Sequence, residues 1–188
     1  MKIGIDYSLS CPAICIVPDE FTEFKYEDCK FYYLTNRKKY EGSFLNGQVV
    51  GTLHTEKDYT SEPQRYENIA KWVIDTIQFY DYNAIPQINL EDYSFASKGR
   101  VFHIAENMGL LKYKLYREGW KYNLLAPSVI KKFATGKGNA NKEDMVIAFE
   151  MDTHTDLKDK FDCGINSPIT DIADAYFTCK FRSGNGFV

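Results

Sequence analysis

Residues 2–17 read KIGIDYSLSCPAICIV and predict the opening of a β-sheet. Lys2–Asp6 alternates between apolar and other residues and ends on a carboxylate, which is typical of a strand. Ala13–Val17 is a continuous run of small and apolar residues, which indicates a second, buried strand. The turn between them contains Pro12, and a third strand is predicted at Phe31–Leu34. The fold is therefore expected to begin with antiparallel strands.

Strands alternate with helices in the second part of the chain. The predicted order is a helix from Pro63 to about Tyr80, a strand at Gln87–Leu90, a helix with Ile104, Met108, Leu111 and Leu115 on one face, a strand at Lys121–Leu125, a short helix from Pro127 through Phe133, a helix from Asn141 or a neighbour to about Met151, and a last helix beginning at Ser167-Pro168. This alternation predicts an α/β protein with a mixed sheet. Residues 19–62 do not follow the pattern and are interpreted as an insertion, in which Gln48–Leu53 is a candidate short strand.

Composition places the chain among globular proteins. It has 188 residues, of which 44% are hydrophobic and 26% are charged, and this predicts a single domain spanning residues 1–188. An apolar run long enough to cross a membrane does not occur in the sequence. Because Asp6 interrupts the first apolar stretch, the beginning is not that of a signal peptide, and we expect a cytoplasmic protein. The five cysteines include no Cys-x-x-Cys pair, so reduced thiols are expected rather than a zinc site.

The charge is unevenly distributed along the chain. The net charge is −3, but residues 94–142 contain ten basic and two acidic residues. The remaining residues contain 13 basic and 24 acidic ones. A strongly basic middle segment favours contact with a polyanion such as nucleic acid, although a solvated helix face has the same composition.

Four acidic residues lie where strand or helix context predicts burial. Asp6 and Glu91 each follow the apolar residues of a strand, whereas Asp171 and Asp174 share one face of a helix of small and apolar residues. Each acid alone also fits an ordinary surface or capping role. Together they are more specific, because clustered carboxylates repel one another unless a hard cation such as Mg²⁺ binds between them. Two such ions could activate water and stabilise the leaving oxygen in phosphodiester cleavage.

In the order of its elements and acidic residues, the sequence resembles the RuvC-type Holliday junction resolvases of the RNase H-like superfamily. The matching segments are Ile3-Gly4-Ile5-Asp6, Ile88-Asn89-Leu90-Glu91, Ala126-Pro127-Ser128-Val129-Ile130-Lys131-Lys132, Thr135-Gly136-Lys137-Gly138-Asn139-Ala140-Asn141-Lys142-Glu143 and Asp171-Ile172-Ala173-Asp174-Ala175. The resemblance covers about residues 1–17 and 63–182. Sugar kinases and actin-like ATPases also begin with Ile-Gly-Ile-Asp, but they need two such domains and this chain is too short for that.

The resemblance implies a fold, a metal site and a substrate. The fold would be a five-stranded mixed β-sheet flanked by α-helices. Asp6, Glu91, Asp171 and Asp174 would bind two Mg²⁺ ions, with Mn²⁺ as an expected substitute, and Lys142 would complete the catalytic set. The residues expected to contact DNA are Lys98, Arg100, Lys131, Lys132, Lys137, Tyr93 and Phe95. The partners would be branched DNA and a second copy of the chain, in a homodimer.

The departures from the family pattern are the long, acidic insertion at residues 19–62 and the low isoelectric point of 5.7. Together with many Tyr and Asn residues they favour a bacteriophage source, which would place the protein in the cytoplasm of a bacterial host. Other functions stay open. One is an RNase H-like nuclease that acts on flaps or RNA–DNA hybrids, and another is a non-catalytic DNA-binding module of the same fold. A nucleotide-binding phosphotransferase is disfavoured, because the chain has no P-loop.

Overall fold

The structure is a computed structural model that describes residues 1–18, 23–80, 85–93 and 101–182. The strands are β1 (Lys2–Asp6), β2 (Ala13–Val17), β3 (Lys30–Thr35), β4 (Gly42–Phe44), β5 (Val49–Leu53), β6 (Gln87–Glu91) and β7 (Tyr122–Leu125). The α-helices are α1 (Glu62–Gln78), α2 (Val101–Arg117), α3 (Pro127–Thr135), α4 (Lys142–Thr153), α5 (Leu157–Phe161) and α6 (Ile169–Lys180). The predicted α/β class is confirmed.

The strands of the described residues form one mixed sheet in the order β4-β5-β3-β2-β1-β6-β7. β1 pairs antiparallel with β2 and parallel with β6, and β7 continues the parallel side. The predicted mixed sheet flanked by helices is confirmed, but its strand number differs from the predicted five, since the described residues form seven strands. The two additional strands, β4 and β5, come from the predicted insertion and extend the sheet beyond β3. The insertion therefore widens the sheet at the edge away from β6 and β7.

Helices cover both faces of the sheet, and each face has its own core. Ile3 and Ile5 of β1 point to one face, where they join the buried side chains of α1 and α2. Ala13 and Cys15 of β2 point to the other face, which is covered by α3, α4, α5 and α6. This alternation between two buried faces explains why β2 has no polar residue. The result is a three-layer arrangement with the sheet in the middle.

Gly4 allows α6 to lie directly on β1. A Cβ atom on Gly4 would come within 2.1 Å of the Cys179 backbone nitrogen and 2.4 Å of the Ala175 carbonyl oxygen. Real Cβ atoms do not approach backbone atoms this closely, so a side chain here would push the helix away. Because Gly4 and Asp6 lie on the same face of β1, the contact at Gly4 also sets the position of α6 relative to Asp6.

The five cysteines form no disulfide, and four of them are buried.

No helix within the described part of the chain is long and apolar enough to cross a membrane.

Candidate active site

Two carboxylates of the site lie at the ends of neighbouring parallel strands. Ile5 of β1 is paired with Leu90 of β6, and Asp6 and Glu91 follow these residues directly. Parallel strands end at the same edge of a sheet, so the fold brings these two acids to one place although 85 positions separate them.

The other two carboxylates come from α6, which is fixed to the sheet by a buried amide network. The Asn89 side-chain amide donates hydrogen bonds to the carbonyl oxygens of Thr178 and Phe181, both at 2.9 Å. Its own oxygen accepts a hydrogen bond of 3.0 Å from Asn123 of β7. The Asn89 network and the close contact at Gly4 hold α6 in place. Asp171 and Asp174, one turn apart on this helix, therefore face Asp6 and Glu91.

Burial raises the pKa of all four acids, and the charges of neighbouring acids raise it further for Asp6, Glu91 and Asp174. Burial, followed by the charges of Glu91, Asp171 and Asp174, raises the pKa of Asp6 well above its usual value. Burial and then Asp174 raise the pKa of Glu91 to about 8, and burial and then Asp171 raise the pKa of Asp174 to about 7. The pKa of Asp171 is raised chiefly by burial. Four carboxyl groups that are costly to ionise together are the electrostatic pattern of a cation site or an acid–base site.

Two carboxylate oxygens of the site are buried without a hydrogen-bond partner among the described residues. They are Glu91 Oε2 and Asp171 Oδ2. Asp171 is only 8% exposed, and the side chains of Ser167 and Cys11 lower the pKa of its carboxyl group, which opposes the effect of burial. Buried acceptors without donors are costly, and a bound cation would satisfy them.

These residues fit a divalent cation by chemistry, although the arrangement is open. Within the described part of the chain, no three carboxylate, thiol or imidazole groups are close enough to form a ready-made metal cage. Carboxylate oxygens at one sheet edge are the ligands that Mg²⁺ prefers, and Mg²⁺ usually keeps several of its waters rather than requiring a closed protein cage. Asp6, Glu91, Asp171 and Asp174 are the residues that would hold it.

A cleft of about 580 Å³ opens over the carboxylates. Asp6, Glu91 and Asp174 lie in its wall, together with Lys131 of α3 and Lys142, the first residue of α4. The charges of both lysines lower the pKa of Asp174, which opposes the repulsion among the acids. A cleft that combines a carboxylate cluster with lysines can bind an anionic group and a cation at the same time.

The predicted DNA contacts are distributed over three regions. Lys131, Lys142 and Tyr93 line the cleft, and the ammonium group of Lys112 lies 5.7 Å from the centre of the Tyr93 ring. Lys132 is exposed on α3, and Lys137 lines a separate groove between α3, α4 and α6. Lys98, Arg100 and Phe95 lie outside the described residues.

Three further residues of the site were not predicted from the sequence. Asp92 and Arg65 line the cleft, and Cys11 lowers the pKa of Asp171. Asp92 directly follows Glu91, and this adjacency was the only available signal. Arg65 is a single arginine in the first turn of a helix, where a surface role is usual. Cys11 looked like one of several reduced thiols.

Comparisons with known proteins identify the fold. No protein-family model and no curated protein sequence matches the chain. RuvC of Thermus thermophilus is similar in structure, with a TM-score of 0.56 and 16% identity over 94% of this chain and 90% of that one. Thermus thermophilus RuvC in complex with a Holliday junction substrate gives a TM-score of 0.59 and 11% identity, over 95% and 92% of the two chains. The chain thus has the RuvC-type, RNase H-like fold, which confirms the resemblance at the level of the fold.

Proposed function

We propose that this protein is a divalent-metal-dependent endonuclease that cleaves branched DNA, such as Holliday junctions, by hydrolysis of phosphodiester bonds. One observation carries the proposal: Asp6 and Glu91 at one sheet edge and Asp171 and Asp174 on α6 are four carboxyl groups with raised pKa values, and three of them lie in the wall of a cleft that is also lined by Lys131 and Lys142. The RuvC fold supports this, since one similar structure contains a Holliday junction substrate.

Each part of the cleft has a role in the proposed reaction. Two Mg²⁺ ions, when bound, would activate a water molecule and stabilise the leaving oxygen, and Mn²⁺ should replace them. Asp6, Glu91, Asp171 and Asp174 would hold them. Lys131 and Lys142 would bind the DNA backbone next to the reacting phosphate, because ammonium groups pair with phosphate oxygens. Tyr93 offers an aromatic ring on which an unpaired base could stack.

Paired incisions across a four-way junction require two active sites. We therefore propose that the active form is a homodimer, in which a symmetric pair of clefts faces the two strands to be cut.

The test uses carboxamide variants of the acids. Asp6→Asn and Asp174→Asn each remove one negative charge with almost no change in shape, and both are expected to abolish cleavage while binding to a four-way junction persists. Asp75→Asn is the matched control, because Asp75 lies on the exposed side of α1 in an ion pair with Lys71. Cleavage by Asp6→Asn or Asp174→Asn at the wild-type rate would overturn the proposal.

A further inference from the structure

Arg65 of α1 lies at the boundary between the carboxylate cleft and a neighbouring pocket. It lines the cleft together with Asp6 and Glu91. It also lines a pocket of about 390 Å³, formed by residues 56 and 59–62. The lysines of the cleft come from α3 and α4, on one face of the sheet, whereas α1 covers the opposite face. The cleft thus has basic residues on both of its sides.

The Arg65 guanidinium is held by contacts on three sides. Nη2 donates a hydrogen bond of 2.7 Å to the carbonyl oxygen of Leu9, in the turn that follows Asp6. The guanidinium carbon lies 5.3 Å from the centre of the Tyr59 ring, as in a cation–π contact. Nη1 lies 3.7 Å from the Glu62 carboxylate, which is beyond hydrogen-bond range. The group is therefore oriented, but its donors are not all used.

The unused donor is buried. Arg65 Nε has no hydrogen-bond partner among the described residues, and the side chain is only 14% exposed. A guanidinium presents five donors in a rigid fork that suits phosphate oxygens, and a buried donor without an acceptor is costly. The guanidinium lines the cleft next to a site proposed to act on phosphodiesters, and its hydrogen bond to Leu9 uses one of its five donors.

We infer that Arg65 is a phosphate-binding residue that contacts the backbone of the DNA strand lying over the carboxylates, from the side opposite Lys131 and Lys142. The inference rests on the proposed function and adds a specific contact to it. Tyr59 is a positioning residue that supports the guanidinium through its ring. Because Tyr59 belongs to the predicted insertion, the end of that insertion contributes to DNA binding.

The experiment measures junction binding without cleavage. A fluorescent four-way junction is titrated in EDTA at several salt concentrations, with wild-type protein, Arg65→Gln, Tyr59→Leu and two controls. Lys71→Gln removes one positive charge from the exposed side of the same helix, and Tyr59→Phe keeps the ring. All variants are first checked by circular dichroism and thermal unfolding.

We expect Arg65→Gln to weaken binding about tenfold to a hundredfold, as loss of a charge-assisted hydrogen bond predicts. The slope of log K against log salt should fall by about 0.9, the value for one lost phosphate contact. Tyr59→Leu should weaken binding in the same direction by about threefold to fivefold, which is the size of a cation–π contact. Tyr59→Phe and Lys71→Gln should bind like the wild type.

The two proposals fail in different ways. If the wild-type protein binds no branched DNA, the proposed function is wrong and this inference falls with it. If the wild type binds and folded Arg65→Gln has the same affinity and salt slope, only the inference is wrong. If Arg65→Gln does not fold, the comparison of Tyr59→Leu with Tyr59→Phe decides, and equal binding by these two variants overturns the inference.

Discussion

Replacing Asp174 with asparagine should stabilise the metal-free protein at alkaline pH and destroy its response to metal. The pKa of Asp174 is raised from 3.8 to about 7, first by burial and then by the charge of Asp171. The folded state therefore holds a proton that the unfolded state has lost throughout this pH range. The contribution of the neutral Asp174 carboxyl group to the stability of the folded protein is fully present below pH 3.8 and is lost as the pH rises through about 7.

The size of the effect follows from the two pKa values. Ionising Asp174 in the folded protein well above pH 7 costs about 4 kcal/mol, at about 1.4 kcal/mol for each pH unit. The four acids are electrostatically coupled, so a neighbouring acid ionises more easily once residue 174 is neutral. Part of the cost of ionisation therefore remains in Asp174→Asn. We expect Asp174→Asn to gain about 2–3 kcal/mol at about pH 9, or about 5–10 °C in melting temperature. At about pH 5 the folded group is protonated but the unfolded group is still ionised, so the gain should fall to about a third of its value at pH 9, and it should vanish only below pH 3.8.

The assay is thermal unfolding followed by circular dichroism, in EDTA and in Mg²⁺, near both pH values. In Mg²⁺ at the higher pH the wild type should become more stable, because a ligand that binds the folded state shifts the equilibrium. Asp174→Asn should respond much less. Asp75→Asn, on the exposed side of α1, is the control and should show neither effect. The reasoning is refuted if Asp174→Asn melts at the wild-type temperature in EDTA near pH 9, or if its gain is equally large near pH 5.

Three substitutions test how the fold builds the site. Gly4→Ala should lower the free energy of unfolding by about 3 kcal/mol or more and reduce cleavage, because the added methyl group displaces α6. Urea denaturation measures the loss of stability, and a variant as stable as the wild type would contradict the close contact between β1 and α6. Asn89→Leu should lower the free energy of unfolding by about 1–3 kcal/mol, since it leaves the carbonyl oxygens of Thr178 and Phe181 without their donor. Asn68→Leu, which removes an exposed hydrogen bond to Asp58, is the control, and an equal loss there would remove the specific role of Asn89. Cys11→Val should weaken Mn²⁺ binding in calorimetry about tenfold, because the Cys11 side chain lowers the pKa of Asp171 and so favours its charged form, whereas Cys11→Ser keeps a polar group there. Equal affinities for the two variants would show that this interaction is irrelevant.

The parts of the fold that the sequence predicted are those with a strong local pattern. β1, β2 and β6 are apolar runs with a clear end, and α1 and α2 repeat apolar residues at helical spacing. Strands β4 and β5 were harder to predict from the sequence. β4 is only three residues long and exposes its first two side chains, and β5 contains Gly51 and an exposed Thr52. The pairing of β5 with β3, and through β5 the place of β4 at the edge, comes from tertiary contacts, which periodicity does not record.

The candidate site was predictable only where its residues end strands or share a helix face. The strand-end position of Asp6 and Glu91 and the spacing of Asp171 and Asp174 predicted four acids that the structure brings into one electrostatic cluster. Arg65 gave no comparable signal, because its place depends on the packing of α1 against the turn after β1. Contacts between segments distant in sequence assemble that side of the cleft, and a single sequence does not encode them in a local motif.

The central claim is that this carboxylate cleft cuts branched DNA with a divalent metal ion. The most direct test incubates the purified protein with a four-way junction, a flap, a linear duplex and an RNA–DNA hybrid, each with Mg²⁺, Mn²⁺ or EDTA. The account predicts paired, symmetric nicks in the four-way junction that EDTA abolishes. Cleavage confined to the hybrid or the flap would keep the metal site but contradict the proposed substrate. Binding without cleavage of any substrate, even in Mn²⁺, would contradict the claim that this fold acts here as a nuclease.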